Sequence, residues 1–223
     1  MKLITKIGAL LALIITLSAA TLSATEIEKV NQVRLGFDMS WKLAKGLKLN
    51  IAPEMRRGED FVLDQFQMEA GLRYKTFGFL YWRASYRFII VPDHESSATY
   101  YTPTDKNHRY GFSLTAKQKF GRFTPSLRAL YSNYSDEDID DKAYMRYRAK
   151  VEYNIRKSPF TPYIAIEAYH GLDKGMISKM RYNTGFDLKV KKGQHLNVDY
   201  KFDLYTLKYK NRNVYSIGYK FDF

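Results

Sequence analysis

The chain has 223 residues, a formal net charge of +13 at pH 7 and no cysteine. Without cysteine it has no disulfide, no thiolate metal site and no lipidated N-terminal cysteine. The positive charge would suit nucleic-acid binding, but the basic residues are spread along the chain rather than gathered in one stretch. We therefore expect no nucleic-acid partner for a chain that also begins with an export signal.

The first 24 residues have the pattern of a secretory signal peptide. Lys2 and Lys6 precede an apolar run over residues 7–17, and small residues follow as far as Ala24. The apolar run is too short to cross a bilayer as a helix. Cleavage is expected after Ala20 or Ala24, and we expect residues 25–223 to form one domain, an outer-membrane β-barrel.

From residue 33 onward the sequence is a series of segments in which apolar and polar side chains alternate. In the segment 33–41, Val33, Leu35 and Phe37 alternate with Arg34 and Gly36, which places the two sets on opposite faces of a strand. Segments of about ten residues are long enough to cross a bilayer at a strong tilt. Strands in lipid must close on themselves to pair their backbone groups. The predicted fold class is therefore all-β, a transmembrane antiparallel up-and-down β-barrel, and a soluble barrel with its apolar face inward is the alternative.

The connections between these segments alternate between short and long, as in barrels with short periplasmic turns and longer outer loops. Aromatic side chains accompany both sets and predict two girdles at the membrane surfaces. The short connections are near 44–46, 76–78, 121–122, 157–159 and 192–193, and the long ones are near 57–64, 92–107, 135–142, 171–178 and 206–213. The aromatics beside the short turns are Trp41, Tyr74, Phe77, Phe79, Phe120, Phe123 and Phe160, and those near the long loops are Tyr134, Tyr144, Tyr169, Tyr205 and Tyr215.

The alternation predicts the fold class, but the number of strands needs a further argument. Eleven segments are clear in the sequence, whereas bacterial single-chain barrels have even numbers of strands. Tracing the loops back from the C-terminus makes the first and last segments run in the same direction. We expect twelve strands, with residues 26–31 contributing to a short additional one, and ten strands as the alternative.

The last ten residues resemble the closing strand of Gram-negative outer-membrane barrels, because alternating aromatics lead to a final phenylalanine. This resemblance implies that the segment is a membrane-insertion signal read by the barrel insertion machinery. It also implies export to the outer membrane, where lipid and lipopolysaccharide would be partners. The residues of this expected signal are Tyr215, Ile217, Gly218, Tyr219, Phe221 and Phe223.

Short matches distributed over nearly the whole mature chain are similar to an uncharacterised family of small outer-membrane barrels, domain-of-unknown-function family 2490. The resemblance implies a barrel in the outer membrane and no catalytic residues. The matching residues are Trp41, the run Glu54-Met-Arg-Arg57, Tyr86 with Arg87, the run Arg146-Tyr-Arg148, and Pro162-Tyr163 with Glu167.

The polar faces of the predicted strands carry many charged side chains, with cations in excess of carboxylates. Two interpretations remain open: a structural barrel whose lumen is filled by ion pairs, or a narrow, porin-like, anion-preferring pore for a small anionic solute. The predicted lumen charge network comprises Glu54, Arg56, Glu69, Arg73, Arg83, Arg87, Arg109, Arg128, Arg146, Arg148, Glu152, Glu167, Arg181 and Asp199.

A surface enzyme acting on lipid or peptide is the alternative function, since some barrels carry a histidine and a carboxylate at the outer rim. The best pair for such chemistry is His170 with Glu167, but the sequence places no serine beside any histidine. We therefore expect no catalytic residues and a non-enzymatic protein without cofactors.

Two of the predicted outer loops suggest further interpretations. An adhesion or docking barrel would use the loop over residues 92–107. The acidic stretch 135–141 lacks the Gly and Glu that a helix–loop–helix calcium site requires, so we expect no metal site there.

Overall fold

The computed structural model describes residues 28–58, 61–92, 103–134, 143–206 and 210–223. The predicted signal peptide, the acidic stretch 135–141 and most of the loop proposed for docking lie outside these residues. The described part of the chain contains no helix long and apolar enough to cross a membrane.

The described residues form a single closed barrel of eleven strands. Each strand pairs with its neighbours in sequence, and the hydrogen-bonded neighbours are antiparallel from β1 through to β11. The all-β barrel predicted from the sequence is confirmed. The strands are β1 (Glu28–Ala44), β2 (Leu47–Arg57), β3 (Leu63–Lys75), β4 (Leu80–Pro92), β5 (Pro103–Lys117), β6 (Phe123–Tyr134), β7 (Ala143–Tyr153), β8 (Phe160–Gly171), β9 (Met176–Lys191), β10 (Gln194–Tyr205) and β11 (Lys210–Asp222).

The barrel closes by a parallel pairing of β1 with β11, in which Gly36 lies beside Gly218. This pairing explains the strand count, which lies between the predicted twelve and the alternative ten. In an up-and-down barrel with an odd number of strands, the first and last strands run in the same direction. A parallel ladder still pairs their backbone N–H and C=O groups, so the barrel can close. Residues 28–31 continue β1 and pair with β11, so within the described residues they are not a separate strand.

The strands extend further on the side of the long loops than the alternation predicted. β5 begins at Pro103, β9 at Met176 and β11 at Lys210. The first residues of β11 are polar on both faces, so their sequence shows no alternation. Asn213, on the outer face, accepts a hydrogen bond from the Tyr200 hydroxyl at 2.8 Å and donates one to Asn31 at 3.2 Å.

The barrel has its apolar face outside and its polar face inside. Phe37, Leu127 and Ile217 are exposed on the outer surface, whereas Asn50 and Ser132 are buried within. A soluble barrel would bury the apolar set instead, so that alternative is excluded. An outer apolar surface around a polar interior is the arrangement of a barrel surrounded by lipid.

The aromatics beside the short turns are exposed as a girdle requires, among them Phe77, Phe120 and Phe123. The second predicted girdle is wrong for three of its members. Tyr144, Tyr169 and Tyr205 lie on the same face as the inward charges. Tyr169 is opposite Arg146 and Lys179 in the strand register, and Lys179 is in turn opposite Tyr205. Tyr144 lies two residues before Arg146 on the same strand and so shares its face. Tyr215 is exposed on the outer face as predicted.

Candidate functional site

A row of charged residues crosses five adjacent strands of the inner wall at one level. Directly opposed residues in neighbouring strands share a face, so the strand register alone brings this set together. The row, which we name the charge row, alternates in sign over most of its length. It comprises Arg128 on β6, Arg148 on β7, Glu167 on β8, Arg181 on β9 and Asp203 on β10.

Glu167 is the centre of the charge row and is 5% exposed. Its Oε1 accepts hydrogen bonds from Arg128 at 2.7 Å and from Arg146 at 3.0 Å, and its Oε2 accepts one from the Tyr169 hydroxyl at 3.1 Å. One buried carboxylate therefore serves two arginines from two different strands, and each contact is charge-assisted and correspondingly strong.

Asp203 repeats this arrangement at the other end of the charge row, with no exposed surface. Arg181 donates from Nε at 2.5 Å and from a terminal nitrogen at 2.7 Å, which is a bidentate contact. Lys179 approaches the same carboxylate at 3.6 Å. A bidentate arginine fixes the carboxylate geometrically as well as neutralising it.

Tyrosine rings separate the cations on this wall. The Tyr169 ring lies 3.8 Å from Lys179 Nζ, 4.6 Å from the Arg146 guanidinium and 5.4 Å from that of Arg181. Tyr144 receives Arg109 in the same way at 4.6 Å. Cations are attracted to the face of an aromatic ring. These rings therefore stabilise cations on this wall, where the carboxylates are too few to neutralise all of them.

The facing wall, β2 to β4, carries a second group of charges. Glu69 binds Arg83 at 2.5 Å and also pairs with Arg87. Glu54 accepts hydrogen bonds from Arg56 at 2.7 Å and from Gln67 at 2.8 Å. The side chain of Arg83 is 30% exposed, against 9% for Arg181 in the charge row. Exposure is therefore unequal within the interior: Arg181 is packed, whereas Arg83 keeps exposed surface.

A third group of charges lies toward the short turns. Glu152 binds Lys117 at 2.6 Å and Lys150 at 2.7 Å, and Lys150 lies 3.7 Å from the centre of the Tyr163 ring. Asp187 contacts His195 at 2.6 Å and Lys220 at 3.7 Å. Asp199 pairs with Lys201 at 2.9 Å. The inward charges therefore form a network over most of the length of the barrel.

The inner wall carries more cations than carboxylates. Four inward carboxylates each contact two cationic side chains: Glu69, Glu152, Glu167 and Asp203. Further inward arginines take part in none of the ion pairs found among the described residues: Arg34 on β1, Arg73 on β3, Arg148 on β7 and Arg212 on β11. The fixed charge of the interior is therefore positive.

Small residues give these long side chains room on the opposite wall. A row of them crosses the first six strands in register: Ser40, Asn50, Gly71, Ser85, Gly111 and Ser132. At Gly71, an added Cβ would lie 3.1 Å from Arg83 Nε, so the arginine crosses the glycine. Because these positions carry small side chains, the long charged side chains can extend across them without a clash.

Every residue of the predicted lumen network lies on the inner face of a described strand. The structure adds members that the prediction did not include, chiefly Arg34, Lys179 and the tyrosines of the inner wall. Arg34 and Lys179 are in phase with the polar sets of their strands, so the alternation itself contained the signal. Leu130 was an exception to the alternation, and it does point inward, where an added Cβ on Gly111 would lie 3.4 Å from it.

The pairing of His170 with Glu167, which the enzyme alternative required, is not formed. Glu167 binds Arg128, Arg146 and Tyr169 instead, and a register shift separates His170 from the inward residues of β8. His195 contacts Asp187 inside the barrel, and His108 contacts the Tyr86 hydroxyl at 2.6 Å on the outer face. Within the described residues, no three His, Asp or Glu side chains are grouped to hold a metal ion.

The residues of the expected insertion signal form an aromatic strip on the outer face of β11. Tyr219 and Phe221 lie 4.7 Å apart between ring centres, and Tyr215 lies 5.4 Å from Tyr200 of β10. Gly218 belongs to the inner face instead, because it pairs with Gly36 and Asn197.

Comparison with known proteins gives a family and a fold. The model of a family described as "Protein of unknown function (DUF2490)" matches residues 31–215. No curated protein matches the sequence.

Solved structures similar in shape to this chain are β-barrels. A KdgM porin in complex with disordered oligogalacturonate aligns with a TM-score of 0.50 and 12% identity, covering 78% of this chain and 90% of that one. A second KdgM porin structure has a TM-score of 0.45, 12% identity and coverages of 77% and 91%. The β domain of the Bordetella autotransporter BrkA has a TM-score of 0.44, 11% identity and coverages of 75% and 80%. At these identities the likeness concerns the fold alone.

Proposed function

The chain belongs to the family described as Protein of unknown function (DUF2490), and for this member we propose a narrow, porin-like, anion-preferring pore. The protein would lie in the outer membrane of a Gram-negative bacterium and would not be an enzyme. The observation that carries the proposal is the excess of fixed positive charge on the inner wall. Four carboxylates each contact two cations, and the ion pairs of the described residues do not include Arg34, Arg73, Arg148 or Arg212.

The fixed charge favours anions by simple electrostatics. Arginine or lysine side chains placed around a pore select anions, because the low-dielectric wall focuses their electric field into the passage. The ion pairs do not cancel this field, since each shared carboxylate neutralises only one of its two cationic partners. A mobile anion in the passage would supply the missing negative charge.

Several inward side chains keep exposed surface along which such a passage would run. Arg83, Arg87 and Glu54 retain 30%, 21% and 29% of their side-chain surface. Across from them, the Arg128 side chain at the edge of the charge row retains 28%. The packed cluster around Glu167 and Asp203 would act as the rigid wall, while the passage runs beside β2, β3 and β4.

The solute class proposed here is a small organic anion, such as an organic acid or a phosphate ester. One KdgM porin structure contains oligogalacturonate, which is an acidic sugar chain. That example shows only that a barrel of this fold accommodates an anionic ligand, and the charges of this interior are what support an anionic solute here.

The proposed pore can be tested by refolding the mature chain into phosphatidylcholine vesicles and measuring their osmotic swelling in potassium chloride. Valinomycin carries potassium, so the swelling rate then reports chloride entry through the barrel. We expect swelling faster than in vesicles without protein, and slower swelling for Arg148→Gln. A matched control is Arg57→Gln, because Arg57 binds the Phe61 carbonyl at the exposed end of β2. A folded, inserted barrel that swells no faster than empty vesicles would overturn the pore and leave a structural barrel.

A further inference from the structure

Arg34 is a buried cation held in a fixed orientation on the inner face of β1. It is 7% exposed and lies between Arg56 of β2 and Ser216 of β11 in the strand register. Its Nε donates a hydrogen bond to Gln32 Oε1 at 2.8 Å. Gln32 is itself buried and donates to Asp64 at 2.9 Å, so the base of the guanidinium is anchored to β3.

The charges around Arg34 leave it without a carboxylate of its own. Its electrostatic neighbours are Arg56 and Arg181, which repel it, and Glu54 and Asp203, which attract it. Glu54 already binds Arg56 at 2.7 Å, and Asp203 already binds Arg181 at 2.5 Å. Three guanidinium groups therefore face two carboxylates, and none of the ion pairs among the described residues includes Arg34.

An arginine of this kind is costly to bury. Burying a charge is unfavourable unless it is paired, and the two carboxylates near Arg34 already bind other arginines. The end of the Arg34 guanidinium has no described protein acceptor, although it is a planar fork that suits the two oxygens of a carboxylate or phosphate. An anion with two oxygens would supply the partner that the end of the guanidinium lacks among the described residues.

Room for an anion lies next along the same face. Gly36 is two residues beyond Arg34, and Gly218 lies beside it across the parallel seam. A Cβ added to Gly218 would find its nearest atom at 3.8 Å, and one added to Gly36 at 3.5 Å. At Gly185, by contrast, the nearest atom would be at 2.5 Å. The wall at the seam therefore has room for a further atom at ordinary contact distance, close to Arg34.

We propose that Arg34, with Arg56 and Arg181, forms an oxyanion-binding site inside the barrel beside the glycine pair Gly36 and Gly218. The ligand is the carboxylate or phosphate group of a small solute. This inference rests on the proposed anion pore and names the point in its passage where the solute is held. Arg56 and Arg181 stay bound to their carboxylates and add long-range attraction, while Arg34 makes the direct contact.

Anion binding at this site can be measured without recording conductance through the barrel. The mature barrel is refolded in nonionic detergent, and its thermal unfolding is followed by circular dichroism while chloride is replaced by acetate, or by inorganic phosphate, at constant ionic strength. A ligand that binds the folded state raises the unfolding temperature in a saturable way. We expect saturable stabilisation of the wild type by at least one of the two anions, and the comparison of the two arms identifies the preferred group.

Arg34→Gln removes the direct contact, and we expect the apparent anion affinity to fall about tenfold or more, as for a lost hydrogen bond to a charged group. The variant should fold, because it removes an unpaired buried charge. Arg57→Gln is the matched control, because Arg57 is the neighbour of Arg56 on β2 but binds the Phe61 carbonyl at the exposed end of that strand, and its anion response should equal that of the wild type. Gly218→Leu keeps every charge but fills the space, and it should also abolish the response.

Equal anion stabilisation of the wild type and Arg34→Gln, or none in the wild type, would overturn the site. An anion-preferring current combined with that result would leave the proposed pore standing. Anion stabilisation that depends on Arg34, in a barrel that conducts no anions, would instead keep the site and overturn the pore.

Discussion

Trp41 of β1 stacks face to face on Phe223, the last residue of the chain, with ring centroids 5.4 Å apart and planes within 8°. The Phe223 backbone N–H also donates to the Ser40 carbonyl at 2.8 Å. Because β1 and β11 form the parallel seam, this contact joins the first strand to the end of the last one at the edge beside the short turns.

Replacing Phe223 by alanine should weaken the seam. An aromatic pair contributes about 0.5–1.5 kcal/mol beyond the area it buries, and the backbone hydrogen bond to Ser40 is retained. We expect Phe223→Ala to lower the free energy of unfolding by roughly 1 kcal/mol, measured by urea unfolding of the refolded barrel in detergent. Phe77→Ala, in an exposed turn away from the seam, is the control. Equal losses in the two variants would mean that the stack has no special part in closing the barrel.

The Glu167 carboxylate should matter more for stability than any exposed charge. Glu167→Gln would leave Arg128 and Arg146 without their shared carboxylate, and breaking a buried ion pair by removing one partner costs about 3–5 kcal/mol. Asp222→Asn is the control, because its pair with Lys48 is exposed and such pairs contribute about 0–1 kcal/mol. Urea unfolding of both variants measures the difference. Similar stability of the two would indicate that Glu167 is fully hydrated in the folded barrel.

Two inward glycines should differ sharply in their tolerance of a side chain. A Cβ at Gly185 would lie 2.5 Å from the Val198 carbonyl oxygen and 2.6 Å from Asp199 Cβ. Overpacking of this kind costs roughly 1–3 kcal/mol, so Gly185→Ala should be destabilised. Gly218→Ala has open space and should unfold at nearly the same urea concentration as the wild type. If Gly218→Ala were the less stable of the two, the claim that the seam has room for a side chain at Gly218 would be contradicted.

The alternation of side chains predicts most of the fold because period two is required by the two environments of each strand. It predicts the inward position of Glu167 and the outward position of Ile217 without any knowledge of contacts. It fails where both faces are polar, as at the start of β11. The strand number could not be settled, because an even number of strands was assumed although the two end segments had the same direction.

The pairing within the interior could not be predicted from the sequence. Glu167 selects Arg128, 39 residues away, and which arginines share a carboxylate depends on the offset between strands and on side-chain rotamers. The tyrosines show the same limit. Tyr169 is in phase with Glu167, yet its position near a long loop suggested a girdle, and only the register shows that its ring separates Lys179 from Arg146.

Charge variants should change ion preference in proportion to the fixed charge that they remove. Arg73→Glu and Arg148→Glu reverse charges that take part in no ion pair among the described residues, so they should reduce anion preference without the cost of breaking a pair. The readout is the ratio of anion to cation permeability in a planar bilayer. Arg57→Glu, outside the lumen, should leave that ratio unchanged, and an equal shift in all three variants would point to a surface effect.

The most direct test of the account is the reversal potential of the refolded mature barrel in a planar bilayer separating two concentrations of potassium chloride. The excess of inward arginines predicts a steady conductance whose reversal potential lies toward that of chloride. A reversal potential toward that of potassium, or a correctly inserted barrel that carries no current, would contradict the claim that this interior is an anion-preferring passage.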